Sequence, residues 1–274
     1  MSDEKTSKST ALFGLLPILA VLIIDLFCLY LQPHSHAIPH LAFAVLVAQC
    51  LCLLIFYKGE ICPGQRGRLG KMQLGFALYW GLWLLLGLFS NYHYVLSDFL
   101  CLCGIIITIA TYKQPSEDQL RNAMLKIALF SSVVGVICYG IILSELPLLA
   151  WLQYNIFAQI AVAIVLAHLA LLVSKNRLHN FINLLPFGVL ISLLSNVIVL
   201  LILLTLLSQQ SAVYFAGIFK NELALALYFI LHLLITLIIG GHIFRKTSLN
   251  YMMLMMMLLL SAGLPLWANF AYWA

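Results

Sequence analysis

Nine apolar runs follow one another, near residues 11–32, 38–57, 72–90, 92–112, 123–144, 147–174, 181–207, 222–244 and 249–272, and the connections between them are too short to hold a domain. A helix needs roughly 20 apolar residues to cross a bilayer. The runs therefore predict an all-α, polytopic transmembrane bundle of about nine spans. Composition agrees: 64% of residues are hydrophobic and 8% charged, whereas charged residues make up about a quarter of a soluble domain. The solvent of this chain is the lipid bilayer.

The cations orient the bundle. Lys5 and Lys8 lie in the polar start MSDEKTSKST, and Lys58, Arg66, Arg68 and Lys71 follow the second run. Lys113, Arg121 and Lys126 follow the fourth, Lys175 and Arg177 the sixth, and Arg245 and Lys246 the eighth. With nine spans, thirteen of the fourteen cations fall on one side, leaving Lys220 on the other. Short loops rich in Lys and Arg stay cytoplasmic. This predicts a multi-pass protein of the bacterial cytoplasmic (inner) membrane with its N-terminus inside and its C-terminus outside. Trp267, Tyr272 and Trp273 would anchor the last span in the outer interface. The +5 net charge is thereby explained by topology, and no nucleic-acid partner is expected. The first run is longer than a secretory signal core and has no small-residue cleavage site, so it reads as a retained helix.

Cysteines and histidines offer little metal chemistry. Cys50 and Cys52, like Cys101 and Cys103, are spaced i,i+2, which on a helix turns the sulfurs about 200° apart. They read as small apolar packing residues, and no metal site is expected. His34, His36 and His40 cluster at the outer end of the first hairpin, with His93 on the same face. Such a group can hold a metal or decorate a wet loop. A haem spanning two helices needs facing histidines at matched depth. His168 and His242 are the one such pair, and haem is not the expected cofactor.

Ionisable groups inside a bilayer are costly and face the bundle interior. Asp25 lies about 10 Å inside the outer end of the first helix, and Asp98 is at a similar depth on the fourth. Gln153, Asn155 and Gln159 start the sixth, Glu145 ends the fifth, Glu222 opens the eighth, and Ser261, Pro265 and Asn269 mark the ninth. Most of these sit in the outer half, above an apolar inner half. The asymmetry predicts a polar pocket open to the outside, suited to a quinol. Interhelical hydrogen bonding that only holds the bundle together is the plainer reading.

From the second helix onward the chain resembles the membrane-anchor subunit of dimethyl sulfoxide reductases. The matching stretches are FAVLVAQC from Phe43 to Cys50, GLWLLLG from Gly81 to Gly87, LSD from Leu96 to Asp98, LLP from Leu184 to Pro186, SQQSA from Ser208 to Ala212, and the terminal SAGLPLWANFAYW. The His-Leu-Gly-Ser-Pro segment of that family has no counterpart here. The resemblance implies a single membrane domain: a tail over residues 1–10, an added helix over 11–32, and an eight-helix bundle over 37–274. It implies a quinol-oxidising anchor (menaquinol or ubiquinol) that passes electrons to iron-sulfur and catalytic oxidoreductase subunits on the outer face. Asp98 would be the catalytic proton acceptor, with His93, His40, Asp25, Gln159, Asn155 and Glu222 around the quinol. The rival is a small-solute or ion transporter with Asp25, Asp98, Asn196 and Glu222 along its path. A lipid-modifying enzyme lacks a clustered acid pair or a nucleophile with its base.

Overall fold

The computed structural model describes residues 2–31, 38–59, 61–91, 93–210, 222–245 and 247–273; the side chains of 2–11, 207, 208, 210, 222, 272 and 273 lie outside the description. Regular structure among these residues is entirely helical. The helices are α1 (Ser2–Tyr30), α2 (Ala42–Lys58), α3 (Pro63–Phe89), α4 (Val95–Tyr112), α5 (Asp118–Glu145), α6 (Ile156–Val173), α7 (His179–Gln210), α8 (Glu222–Arg245), α9 (Tyr251–Ala262) and α10 (Leu264–Trp273). Eight helical stretches among the described residues are long and apolar enough to cross a membrane, and α2, at 17 residues, is a shorter ninth.

Two of the nine runs are broken where the sequence offers a reason. The sixth begins as a 3-10 turn, Leu148–Leu152, and unwinds over Gln153–Asn155 before α6 starts. There the Asn155 side chain accepts the Phe157 N–H at 2.9 Å, a side-chain cap at the helix N-terminus. The ninth breaks at Gly263, just ahead of Pro265, into α9 and α10.

Helix α6 is the axis of the bundle, with Ala158 to Leu171 buried almost without interruption apart from Ile160. Lipid gives no hydrophobic drive for helices to associate, so close approach over small residues does that work. Ala158, Ala161, Ala163, Ala167 and Ala170 let α2, α7 and α9 pack against α6. Helix α4 packs between α3 and α5. Helix α1 lies on α3, α6 and α9 and contributes the fully buried Asp25, so it is built into the bundle and is no appendage.

The described cation-bearing connections gather at one end. Arg68 Nε donates to the Ser174 carbonyl at 2.8 Å, and Gln65 Nε2 to that of Lys175 at 3.3 Å. Tyr251, beside the α8–α9 connection, donates to the carbonyl of Phe13 in α1 at 3.0 Å. At the opposite end the Tyr94 hydroxyl donates to Glu145, and Trp151 Nε1 to the Leu143 carbonyl at 3.1 Å. Lys220, His34 and His36 lie outside the described residues. The half toward the cation-bearing end is not wholly apolar: Thr108 and Thr111 in the last two turns of α4, and Gln49 and Gln73 near the middles of α2 and α3, are buried.

Candidate functional site

The buried polar groups toward the end opposite the cations are best understood from the length of α2. Seventeen residues rise about 26 Å, short of a hydrocarbon core about 30 Å thick. One end of α2 therefore starts inside the protein at membrane depth, where its first N–H groups have no water to bond. Leu41, at the cap position, supplies no side-chain acceptor. Two neighbouring helices do. Asp25 Oδ1 of α1 accepts the N–H of His40 at 2.6 Å and of Leu41 at 3.2 Å, and Gln159 Oε1 of α6 accepts the N–H of Ala44 at 3.2 Å. A carboxylate at a helix N-terminus is also favoured by the helix dipole.

Aromatic side chains close the network. Tyr79 of α3 donates to Asp25 Oδ2 at 2.5 Å, with Trp83 alongside. Gln159 Nε2 donates to the Tyr139 hydroxyl and, at 3.2 Å, to the Tyr154 carbonyl, which Tyr139 also reaches at 3.2 Å. The His40 ring stacks on Tyr154 with centroids 4.8 Å apart, and its Nε2 lies 3.2 Å from the Tyr154 hydroxyl. His40 is fully buried rather than on a wet loop. Its Nδ1 is 3.7 Å from Asp25. Asp25, His40 and Gln159 thus come together in a sealed network that caps a helix.

Asp98 belongs to a different group. It lies in the first turn of α4, where Oδ2 is 3.1 Å from His93 Nδ1, and that nitrogen is 3.2 Å from the Gly87 carbonyl. The His93 side chain is 44% exposed, which places the pair at the rim of the bundle. Asn155 adjoins the Asp25 network through Tyr154 but spends its oxygen on capping α6. The side chain of Glu222 lies outside the described residues.

Two further groups stand out. Halfway along α7, Asn196 Nδ2 donates to the Tyr228 hydroxyl of α8 at 3.0 Å and to His232 Nε2. The other His232 nitrogen is then the donor to the Tyr228 carbonyl, at 2.9 Å. Asn196 is fully buried, and its Oδ1 has no hydrogen-bond partner among the described residues. Toward the cation-bearing end, His168 and His242 line one cavity of about 800 Å³ together with His179, Lys175, Asn176 and Asn183. The pair singled out by depth therefore does share a space. No cluster of three or more His, Cys, Asp or Glu that could hold a metal ion exists among the described residues.

A network missed in the sequence joins α2, α3 and α4. Gln49 accepts the Trp80 indole N–H at 2.7 Å and donates to Thr108 at 3.0 Å and to the Gly104 carbonyl at 3.3 Å. The signal was a lone glutamine inside an otherwise apolar run.

A protein of Haemophilus influenzae with no described role is 40% identical over 270 residues, covering 98% of this chain and 100% of the relative. No solved structure matches the chain. The resemblance to dimethyl sulfoxide reductase anchors is overturned by the family comparison, and the iron-sulfur and catalytic subunits it implied lose their basis with it. The family model that matches, over residues 4–270, is that of an integral membrane domain, and it includes α1. The chain is a multi-pass integral membrane protein and belongs to the integral membrane domain family.

Proposed function

We propose that the chain carries a small polar solute across a bacterial cytoplasmic membrane, along the boundary that α7 and α8 form with α6 and α9. The observation that carries this reading is Asn196, a fully buried carboxamide whose oxygen lacks a donor among the described residues at mid-membrane depth. An unsatisfied polar atom in hydrocarbon costs several kcal/mol, and polar groups retained there mark solute paths. Toward the cation-bearing end, lined by the same two helices together with the end of α6 and the connections on either side, lies the 800 Å³ cavity with its imidazoles, carboxamides and Lys175. Between the two levels α8 carries Thr236, one turn beyond His232 and bonded to its carbonyl at 2.8 Å.

Water access tests the path without knowledge of the solute. In a cysteine-free background, cysteine placed at Asn196 or His232 is expected to react with a charged, membrane-impermeant thiosulfonate, with cysteine at the lipid-facing Ile198 as the unreactive control. Inertness at both Asn196 and His232 would reduce the group to interhelical glue.

The orientation has its own test. Cys62 is exposed at the cation-bearing end. With that end cytoplasmic, an impermeant maleimide should label Cys62 in inverted vesicles and leave it unlabelled in intact cells. Labelling in intact cells would turn the bundle over.

A further inference from the structure

A second hollow opens at the cation-bearing end, between the first turns of α3, the last turn of α4 and the connection into α5, with a volume of about 620 Å³. Its chemistry is one-sided. Arg66, Lys71, Lys113 and Arg121 all line it, joined by Gln114 and by Gly67. Glu117 and Asp118, at the start of α5, are the neighbouring acids, both exposed; the Asp118 carboxylate pairs with Arg121, and its side chain is 79% exposed. Cations at the inner end of a bundle satisfy topology by standing in water or among headgroups, and none of them needs a concave, shared wall for that.

Two features separate this hollow from a solvated basic face. Arg66 Nε and both amide atoms of Gln114 are buried from solvent and have no hydrogen-bond partner among the described residues. Buried donors of this kind carry a desolvation cost that a bound acceptor would remove. The hollow also takes in the N-terminus of the 27-residue α3, whose dipole favours an anion. At Gly67 nothing stands within 4 Å of where a Cβ would be, so the backbone there is open to close approach.

We propose that this hollow binds a phosphate group, carried either by the headgroup of an anionic lipid or by a soluble phosphorylated compound. The guanidinium groups of Arg66 and Arg121 would take its oxygens as paired donors, the geometry in which arginine surpasses lysine for phosphate. Lys113 and Lys71 supply further positive charge, and the Gln114 amide a neutral donor. The site is independent of the transport path, which lies along α7 and α8.

The test uses the full chain in nanodiscs. In phosphatidylglycerol discs, native mass spectrometry after gentle disruption should show retained phosphatidylglycerol on the wild type and at least tenfold less on Arg66→Gln. In phosphatidylcholine discs, pyrophosphate should raise the thermal midpoint of the wild type if the natural source is soluble. Either arm positive supports the site and names the source; both negative overturns it. Lys58→Gln with Arg177→Gln neutralises basic residues outside the hollow, and an equal loss there would reduce the effect to bulk charge and also overturn it. Should Arg66→Gln fail to fold, Lys113→Gln, in the connection outside the helices, gives the same comparison.

Discussion

Alanine at Asp25 should lower the stability of the protein in detergent by about 4 kcal/mol, whereas asparagine at the same position should cost about 2 kcal/mol. The difference follows from the cap on α2. Removing the carboxylate strands the N–H groups of His40 and Leu41 and the hydroxyl of Tyr79, each buried and each costing about 1–3 kcal/mol when left without a partner. Rearrangement of the tyrosine recovers part of the sum. Asparagine keeps an oxygen for the two N–H groups and presents an amide that Tyr79 can accept. It forfeits the charge-dipole attraction, about 0.3–1 kcal/mol, and the acceptor of the Tyr79 O–H, about 1 kcal/mol more. Loss of the monodisperse peak on heating, followed by fluorescence-detected gel filtration, ranks the variants. Equal midpoints for alanine and asparagine would show that the carboxylate does not hold α2. The same pair separates capping from chemistry: a residue whose task is to move a proton loses it on amidation, while a cap does not.

That distinction explains which parts of the molecule could be read from letters. A bilayer restricts its helices to long apolar runs, so the spans and the gathering of cations at one end were visible. Asp25, His40 and Gln159 were visible as polar residues at depth. Their partners were not, because three are backbone N–H groups, which no letter records, and three are tyrosines, which in a membrane sequence read as interfacial anchors. Equal depth also misled. Asp25 meets α3 at Tyr79, whereas Asp98 packs against Gly87, about 12 Å further along that helix. Counting residues from the ends of the apolar runs therefore did not put the two acids at one height against α3. The family resemblance failed for a related reason: short stretches of Leu, Gly and Ala recur in any bundle that packs through small residues. Asn196 was flagged, but the histidine and tyrosine that hold it lie 36 and 32 residues away on the next helix.

Alanine at Gly104 is expected to loosen the contact between α3 and α4 by about 3 kcal/mol, a large effect for one methyl group. Gly104 faces the Trp80 indole, and a Cβ built there meets Nε1, Cε2 and Cδ1 of that ring well inside contact distance. Trp80 cannot swing aside, since it is fully buried and its N–H is given to Gln49. The methyl group must displace either the ring or the helix. Overpacking of this kind costs about 1–3 kcal/mol, and the lost hydrogen bond leaves the indole N–H and the Gln49 oxygen buried without each other, about 1–3 kcal/mol more. The two costs overlap, because moving the ring is what breaks the bond. A second substitution isolates them: Trp80→Phe removes the N–H and narrows the ring, so Gly104→Ala should cost less in that background than in the wild type. Thermal midpoints for the two single variants and the double variant give the coupling directly. Strict additivity would mean that Gly104 is small for some reason other than the tryptophan it faces.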